Sequence, residues 1–265
     1  NMTKENIIAF SQAHAEPEWL QARRKAAFDK ISELNLPLIQ RVKLDRWNFG
    51  NHTVSDSVAT PNVVDFTNLG DNPKLIQVGT TTVFEQLSPE LVNKGVVFTD
   101  FYSALEEIPE VIEQYFGSAL AFDEDKLTAY HTAYFNSAAV LYIPDNVEVD
   151  VPIQGLFYQN SDEAVEFNKH VLLVAGKHSK VSYLERFESL GNGSEKSTAN
   201  IAVEVVALEG SQVKFSAIDR LGSNLTTFIS RRGRLQKNAT IDWNLGVMNE
   251  GNVIADFDSD LVGEG

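Results

Sequence analysis

The chain has 265 residues, of which 43% are apolar and 22% are charged, so it is large and apolar enough to fold around a sizeable core. It contains no cysteine, which excludes disulfide bonds, thiolate metal sites and cysteine nucleophiles from these residues. Lysine and arginine number 22 against 37 aspartates and glutamates, and the net charge of -15 disfavours nucleic acid and anionic membranes as partners.

The sequence also carries no sign of membrane insertion or export. No apolar run approaches the roughly 20 residues that a membrane helix needs. The first residues lack the apolar stretch of a secretory signal. Together with the absence of cysteine, these observations predict a cytoplasmic protein without a membrane partner.

Residues 1–135 are predicted to form a mostly helical region with a few short strands. A helix is expected from residues 16–20 (EPEWL), because proline suits the first turn and acids complement the helix dipole. It should end near Asn35 and Pro37. Its solvent-side charges are predicted to be Arg23, Arg24 and Lys25.

The rest of this region alternates between strand and helix patterns. Short β-type runs occur at 74–78 and 81–84, where glycine and threonine punctuate the sequence. From residue 99 to 135 the pattern returns to helix, with Asp100 as a cap, Pro109 at the start of a second helix and Asp123 at the start of a third.

A weak repeat marks the second half, where the hydrophobic period changes to two. A turn residue is followed three and five positions later by small or apolar side chains. The first positions of its copies are Pro144, Gly176, Gly210, Gln236 and Gly263. They lie 32, 34, 26 and 27 residues apart, and repeats of this length are typical of solenoids.

Short strands without crossover helices between them favour a mainly β fold. We predict a right-handed parallel β-helix, a solenoid, over residues 136–265, preceded by the helical and mixed region at 1–135. An antiparallel β-sandwich is the alternative, because its hairpins also place turns at regular intervals. A polar loop is expected at 189–200.

Two groups of basic side chains are candidates for binding. His170 and His178 flank one strand and would form a site at the end of a coil, but surface or structural histidines are the favoured interpretation. A second group comprises Arg231, Arg232 and Arg234. Alternation directs Arg231 and Arg232 to opposite faces, and a solvated face paired with carboxylates is favoured over a phosphate site.

Near the end of the chain, Asp256, Asp258 and Asp260 would share one face of a strand, with Glu264 beyond. Such acids resemble the groove of a polysaccharide-active β-helix enzyme, or a calcium site. An exposed acidic face is the favoured interpretation. No residue of the chain is predicted to be catalytic, to bind a cofactor or to bind a metal.

Several segments resemble SufD-type members of the SufB/SufD family. The segment 16–20 (EPEWL) is similar to their first helix, and 45–49 (DRWNF) to an altered form of their Glu-x-Trp-Arg-Tyr-type segment. The stretch 136–147 resembles the entry to their core, with Asp145 and Asn146 in place of Lys-Gly. Residues 171–185 resemble the next core segment, so the resemblance covers nearly the whole chain.

This resemblance implies a non-catalytic scaffold subunit for iron–sulfur cluster assembly that pairs with SufB and with the SufC ATPase. It implies no resident cofactor in these residues, because the nascent iron–sulfur cluster forms in the assembled complex. It also implies that the chain is incomplete at its C-terminal end and that cluster ligands lie beyond Gly265. An isolated chain would form a homodimer through the surface meant for SufB.

Overall fold

The computed structural model describes residues 4–34, 70–162, 165–193, 196–247 and 252–262. The helices are α1 Lys4–Ala13, α2 Glu18–Lys30, α3 Pro89–Asn93, α4 Phe101–Glu107, α5 Pro109–Tyr115 and α6 Lys126–Tyr134. The strands are β1 Lys74–Val78, β2 Thr81–Gln86, β3 Val97–Asp100, β4 Ser137–Ile143, β5 Ile153–Asn160, β6 Phe167–Ala175, β7 Lys180–Leu190, β8 Ser197–Ala207, β9 Gln212–Arg220, β10 Leu225–Leu235, β11 Thr240–Val247 and β12 Asn252–Leu261. The features predicted at Asn35, Pro37, 45–49, Gly263 and Glu264 lie outside the described residues.

The strands form two six-stranded sheets between which the chain alternates from β4 onwards. The first sheet has the order β11-β9-β7-β5-β1-β2, and the second has the order β12-β10-β8-β6-β4-β3. Neighbouring strands from β4 to β12 are parallel. At one end of the sheets, β2 pairs antiparallel with β1 and β3 pairs antiparallel with β4. The result is a parallel β-solenoid of about four turns behind an N-terminal helical region, which confirms the predicted fold. The sandwich alternative is wrong, because its strands would be antiparallel.

The hydrogen bonds between successive coils correct the predicted repeat register. The backbone N–H of Gly176 donates to the carbonyl of Ile143, that of Leu208 to Ala175, that of Gln236 to Ala207 and that of Val262 to Leu235. The third copy therefore begins at Leu208 and not at Gly210, and the fifth at Val262 and not at Gly263. The coils are then 32, 32, 28 and 26 residues long.

Each turn of this edge holds one residue in the left-handed backbone region, two positions after the start of its copy. The φ angles are 63° at Asn146, 57° at His178, 70° at Gly210 and 60° at Asn238. Glycine and asparagine adopt this region at the lowest cost. The ring of His178 lies over Gly210, where an added Cβ would collide with Nδ1 of that ring. Both the backbone and its neighbour therefore select glycine at 210.

The two sheets differ in burial, and the difference explains their sequences. Strand β6 (FNKHVLLVA) is buried at every position, because one face lines the solenoid interior and helices cover the other. Strand β9 (QVKFSAIDR) alternates between buried and exposed side chains, since the outer face of its sheet meets solvent. The interior is filled by side chains such as Leu173, Val203, Phe187 and Phe215.

The helical layer is attached to the second sheet by apolar packing and by one buried arginine. Leu20, Phe101, Ile112 and other helical side chains pack against the outward side chains of β4, β6 and β8. Arg24 was predicted to face solvent, and this is wrong, because it is fully buried. Its guanidinium donates to both oxygens of Glu16 at 2.8 Å and to the carbonyl of Phe135 at 2.8 Å.

None of the helices within the described ranges is long and apolar enough to span a membrane.

Candidate functional site

A cavity of about 220 Å³ lies where the helical layer meets the outer face of the second sheet. Its walls come from α2, the segment after α5, α6 and the start of β6. Side chains that define it include Arg23, Phe116, Phe122, Thr128, His131 and His170. The cavity combines apolar walls with one cation, one carboxylate and two imidazole rings.

Arg23 forms the cationic edge of this cavity. Its guanidinium donates to the carbonyl of Phe116 at 2.6 Å and lies 4.9 Å from the centre of the Trp19 ring. Partial burial lowers the pKa of Arg23, while Glu204 and Glu113 act in the opposite direction. The arginine stays charged, because its pKa starts far above neutrality.

Two buried histidines form the floor of the cavity. Nε2 of His131 lies 2.9 Å from Nδ1 of His170, and Nδ1 of His131 lies 2.9 Å from Oδ1 of Asn200. Nε2 of His170 lies 2.7 Å from Oε1 of Glu204. Burial, the adjacent His170 ring and Arg24 hold the pKa of His131 well below its ordinary value, against the hydrogen bond to Asn200.

Glu204 connects this pair to the segment that closes the cavity. Its carboxylate accepts hydrogen bonds from the backbone N–H groups of Gly117 at 2.8 Å, Ala119 at 2.8 Å and Leu120 at 3.0 Å. A buried carboxylate with several such donors is well satisfied. The charge of Glu204 therefore holds the segment 117–120 against the solenoid.

The alternation of the strands places these groups together. On β6 the outward side chains include His170, whose register partner on β8 is Ala202, so Asn200 and Glu204 flank it on the neighbouring strand. Helix α6 is fixed by a capping box of Asp125 and Thr128 and presents His131 to this point. All four ring nitrogens already have partners, which leaves no lone pair for a metal ion.

The two histidines proposed from the sequence are not brought together. His170 is buried under the helical layer, whereas His178 is exposed on the left-handed turn. The interpretation of a joint site at a coil end is therefore wrong. The true partner, His131, lies 39 residues away on α6, and its relation to His170 follows only from the helix that covers this part of the sheet.

The arginine cluster divides as the alternation predicted, because Arg231 faces the interior and Arg232 the outer surface. Arg232 donates to Glu124 at 2.9 and 3.2 Å, and Arg234 donates to the carbonyl of Ser118 at 3.3 Å. The predicted solvated face paired with carboxylates is only partly correct for Arg232, which does pair with a carboxylate. It is wrong for Arg231, which is only 3% exposed.

Arg231 lies instead in a polar cluster inside the solenoid. It binds both oxygens of Asp219, at 2.8 and 2.9 Å, and one oxygen of Glu185, at 2.9 and 3.2 Å. The hydroxyl of Tyr183 donates to the other Glu185 oxygen at 3.1 Å. Because Asp219 already balances the guanidinium, burial raises the pKa of Glu185 to about 7, against the attraction of Arg231.

A buried lysine occupies the interior nearer the β1–β2 hairpin. The ammonium of Lys169 donates to Oε1 of Gln77 at 2.6 Å, to the carbonyl of Gly79 at 3.1 Å and to the hydroxyl of Ser137. Burial lowers the pKa of Lys169 to about 7, against the attraction of Asp100. Sequence patterns gave no signal for this residue, because a lysine in a strand normally faces water.

The aspartates of β12 share one face, as predicted. The register of Asp256, Asp258 and Asp260 places them beside Ser230, Arg232 and Arg234 of β10. All three are exposed, and Asp256 lies 3.6 Å from Arg232. Across the described part of the chain, no group of His, Asp and Glu side chains is arranged to hold a metal ion.

Fold and site together define a parallel β-solenoid protein whose buried polar groups pair mainly with one another. Comparison with known families gives the affiliation. The family model described as SUF system FeS cluster assembly, SufBD core domain, matches residues 157–265, and the SufBD protein N-terminal region matches residues 72–155. The chain belongs to the SufBD family, as its sequence resemblance indicated.

Curated relatives agree with this affiliation. The chain is 36% identical to the iron-sulfur cluster assembly protein SufD of Bacillus subtilis, over 100% of this chain and 63% of that protein. It is 27% identical to an iron-sulfur cluster assembly SufBD family protein of Trieres chinensis, over 91% of this chain and 56% of the relative. A family member from Staphylococcus saprophyticus is 27% identical over 64% of this chain and 37% of its own length. The chain thus spans less than two thirds of each of these relatives.

Proposed function

We propose that this chain is a non-catalytic scaffold subunit for iron–sulfur cluster assembly that pairs with a SufB subunit and with the SufC ATPase. The observation that carries the proposal is the match of the SufBD models to residues 72–155 and 157–265. The identity of 36% to a SufD protein over the whole chain favours the SufD role within the family. We place the assembly in the cytoplasm.

The structure is compatible with a scaffold in a specific way. The polar groups inside the solenoid are bound to each other, as Arg231 is to Asp219 and Glu185, and Lys169 is to Gln77. A preformed two-sheet solenoid presents a fixed surface, which costs little ordering entropy on association. In this proposal the chain contributes shape and docking surface to the complex.

The iron–sulfur cluster is the cargo of such a complex. Clusters of this kind are held mainly by cysteine thiolates, and these 265 residues contain no cysteine. Any thiolate that binds the cluster therefore comes from outside these residues. In this proposal the SufD-type subunit supplies structure, and the thiolates come from elsewhere in the complex.

Co-purification tests the proposal. The gene product that contains this chain is co-expressed with the SufB and SufC proteins of the same organism, with a tag on SufC alone, and the eluate is analysed by size exclusion with multi-angle light scattering. We expect one species that contains all three proteins. The same protein expressed alone provides the control, and we expect it to self-associate through the surface meant for SufB.

The proposal fails if SufB and SufC form a soluble complex while this protein elutes separately. The polysaccharide-active alternative receives no support, because the family match is to cluster assembly and the aspartates of β12 lie beside arginines on an exposed face.

A further inference from the structure

Asn200, His131, His170 and Glu204 form a continuous string of three hydrogen bonds, each 2.7 to 2.9 Å long. Every link needs one donor and one acceptor. A carboxylate at one end can only accept, so Nε2 of His170 donates to Glu204. The protonation of each ring therefore depends on the orientation of the Asn200 amide at the other end.

With the Asn200 amide oriented as it is in the structure, one of the two histidines in the string carries a positive charge. Oδ1 of Asn200 faces His131, so Nδ1 of that ring carries a proton. Nε2 of a neutral His131 then accepts from Nδ1 of His170. His170 is protonated on both nitrogens in this arrangement and forms an ion pair with Glu204 at 2.7 Å.

Rotation of the same amide by half a turn gives a neutral string. Nδ2 of Asn200, which lacks a hydrogen-bond partner among the described residues, would then donate to Nδ1 of His131. His131 donates from Nε2 to Nδ1 of His170, and both rings are neutral. The heavy atoms occupy the same positions in both arrangements, since amide oxygen and nitrogen are interchangeable in shape.

We propose that this string is a proton-binding site with two states that differ by one proton and by the orientation of the Asn200 amide. A proton that enters at Nδ1 of His131 releases the Nε2 proton of the same ring to Nδ1 of His170. The positive charge arrives at His170, beside Glu204, and His131 is neutral in both end states. Both rings line the cavity, and each is 3% exposed.

The charges that face the string support this assignment. On α2, Arg24 lies close enough to His131 to disfavour a cation there, although Glu16 balances much of its charge. Arg23 and Asp123 line the cavity with opposite charges. On β8, the Glu204 carboxylate lies 2.7 Å from Nε2 of His170.

The segment 117–120 is coupled to the proton because it shares the Glu204 carboxylate. Oε1 of Glu204 accepts from both His170 and the backbone N–H of Gly117, and Oε2 accepts from Ala119 and Leu120. A change of charge at His170 alters the acceptor of all three amides. The hydrogen bonds that hold segment 117–120, one wall of the cavity, therefore depend on the protonation state of the histidine pair at its floor.

Histidine NMR on the intact protein tests the proposal directly. Protein labelled with ¹⁵N-histidine is titrated from about pH 8 to about pH 5, and long-range ¹H–¹⁵N spectra report which ring nitrogens carry protons. We expect His131 to change from Nε2–H to Nδ1–H without becoming charged, at the same midpoint at which His170 gains its second proton. The amide signals of Gly117, Ala119 and Leu120 should follow that midpoint. A His131 tautomer that stays constant across the range would overturn the proposal.

Three variants provide a second measurement. Asn200→Asp can only accept, so it should move the midpoint of the His131 tautomer change up by at least about one pH unit, and Glu204→Gln should move it down by about one pH unit. His178→Asn is the matched control: its ring is exposed and outside the string, so its replacement should leave the His131 and His170 signals unchanged. Equal midpoints in all folded variants would contradict the proposal, as would an effect of the control as large as that of Asn200→Asp.

Discussion

At the scale of single residues, the Arg231 cluster inside the solenoid contains two carboxylates but only one guanidinium. Asp219 binds the guanidinium through both oxygens, and Glu185 shares the same group from the opposite side. Two carboxylates and one guanidinium leave a net negative charge in a buried place. A proton on Glu185 relieves it, and the Tyr183 hydroxyl oxygen, 3.1 Å from Oε1 of Glu185, is placed to accept a hydrogen bond from the protonated carboxyl once its own O–H rotates.

This arrangement predicts a specific dependence of stability on pH. The folded pKa of Glu185, about 7, lies above the ordinary value, so the folded state binds the proton more tightly than the unfolded state does. The free energy of unfolding should therefore fall as pH rises from about 4.5 to about 7. Glu185→Gln should remove this slope in urea unfolding. Glu188→Gln on the same strand should keep it, and an unchanged slope in Glu185→Gln would contradict the assignment.

Lys169 predicts the opposite sign at higher pH. Its folded pKa, about 7, lies below the ordinary value for lysine, so the unfolded state binds the proton more tightly. The free energy of unfolding should rise as pH increases from about 7 to about 10.5. Lys169→Met should abolish that rise, and the exposed Lys177→Met should not. The prediction is wrong if both variants retain the slope of the parent protein.

At the scale of elements, the left-handed turns join a strand of the second sheet to a strand of the first at equivalent points of each coil. Gly210 is the turn residue with no space for a side chain, because the His178 ring covers it. Gly210→Ala should lower the free energy of unfolding by about 1–3 kcal/mol, from backbone strain together with the collision. Combination with His178→Asn should recover the part that is due to the collision. Full additivity of the two substitutions in urea unfolding would show that the ring is not involved.

Helix α6 and the loop after it depend on Arg24. Its guanidinium donates to the carbonyls of Ala133 and Phe135, where the helix ends, and pairs with the buried Glu16. Arg24→Met should destabilise the protein by about 3–5 kcal/mol, because it leaves a buried carboxylate unpaired. Hydrogen exchange should show the loss of protection in α1, α2 and α6 before the solenoid strands. Lys25→Met is the matched control, and similar exchange in both variants would contradict this role.

At the scale of the whole molecule, the excess of negative charge opposes folding. The net charge is -15, and self-repulsion of this kind destabilises a compact state. Between about 0.01 M and about 0.15 M salt, the Debye length falls from about 30 Å to about 8 Å. The urea midpoint should therefore rise over this range in NaCl and, to a similar extent, in KCl. A constant midpoint would mean that the charges are already locally balanced.

The architecture was largely predictable from the sequence, because a solenoid repeats short patterns. Alternation placed Arg231 and Arg232 on opposite faces and grouped the aspartates of β12. The contacts that define the candidate site were not predictable in the same way. The pairs Arg231 with Glu185 and His131 with His170 join residues 46 and 39 positions apart, and they depend on coil register and on which sheet the helices cover.

The register error at Gly210 has the same origin. The predicted motif takes Gly210 as the start because it is a turn residue, whereas the strand register and the hydrogen bond from Leu208 to Ala175 place the start at Leu208. Arg24 and Lys169 were missed because their burial requires partners from distant segments. Charged side chains follow local patterns only while they remain at the surface.

The left-handed turns also bear on how such a chain can change its length. On their edge, the segments 176–179, 208–211 and 236–239 each connect two strands with four residues. On the opposite edge, the connections 161–166, 191–196 and 221–224 have six, six and four residues. The first connection on the turn edge is the exception, because 144–152 joins β4 to β5 with nine residues. In the later coils, differences in connection length lie at the opposite edge. A change that leaves those four-residue turns intact is the gain or loss of an entire coil, which makes the coil a unit in which this architecture can grow.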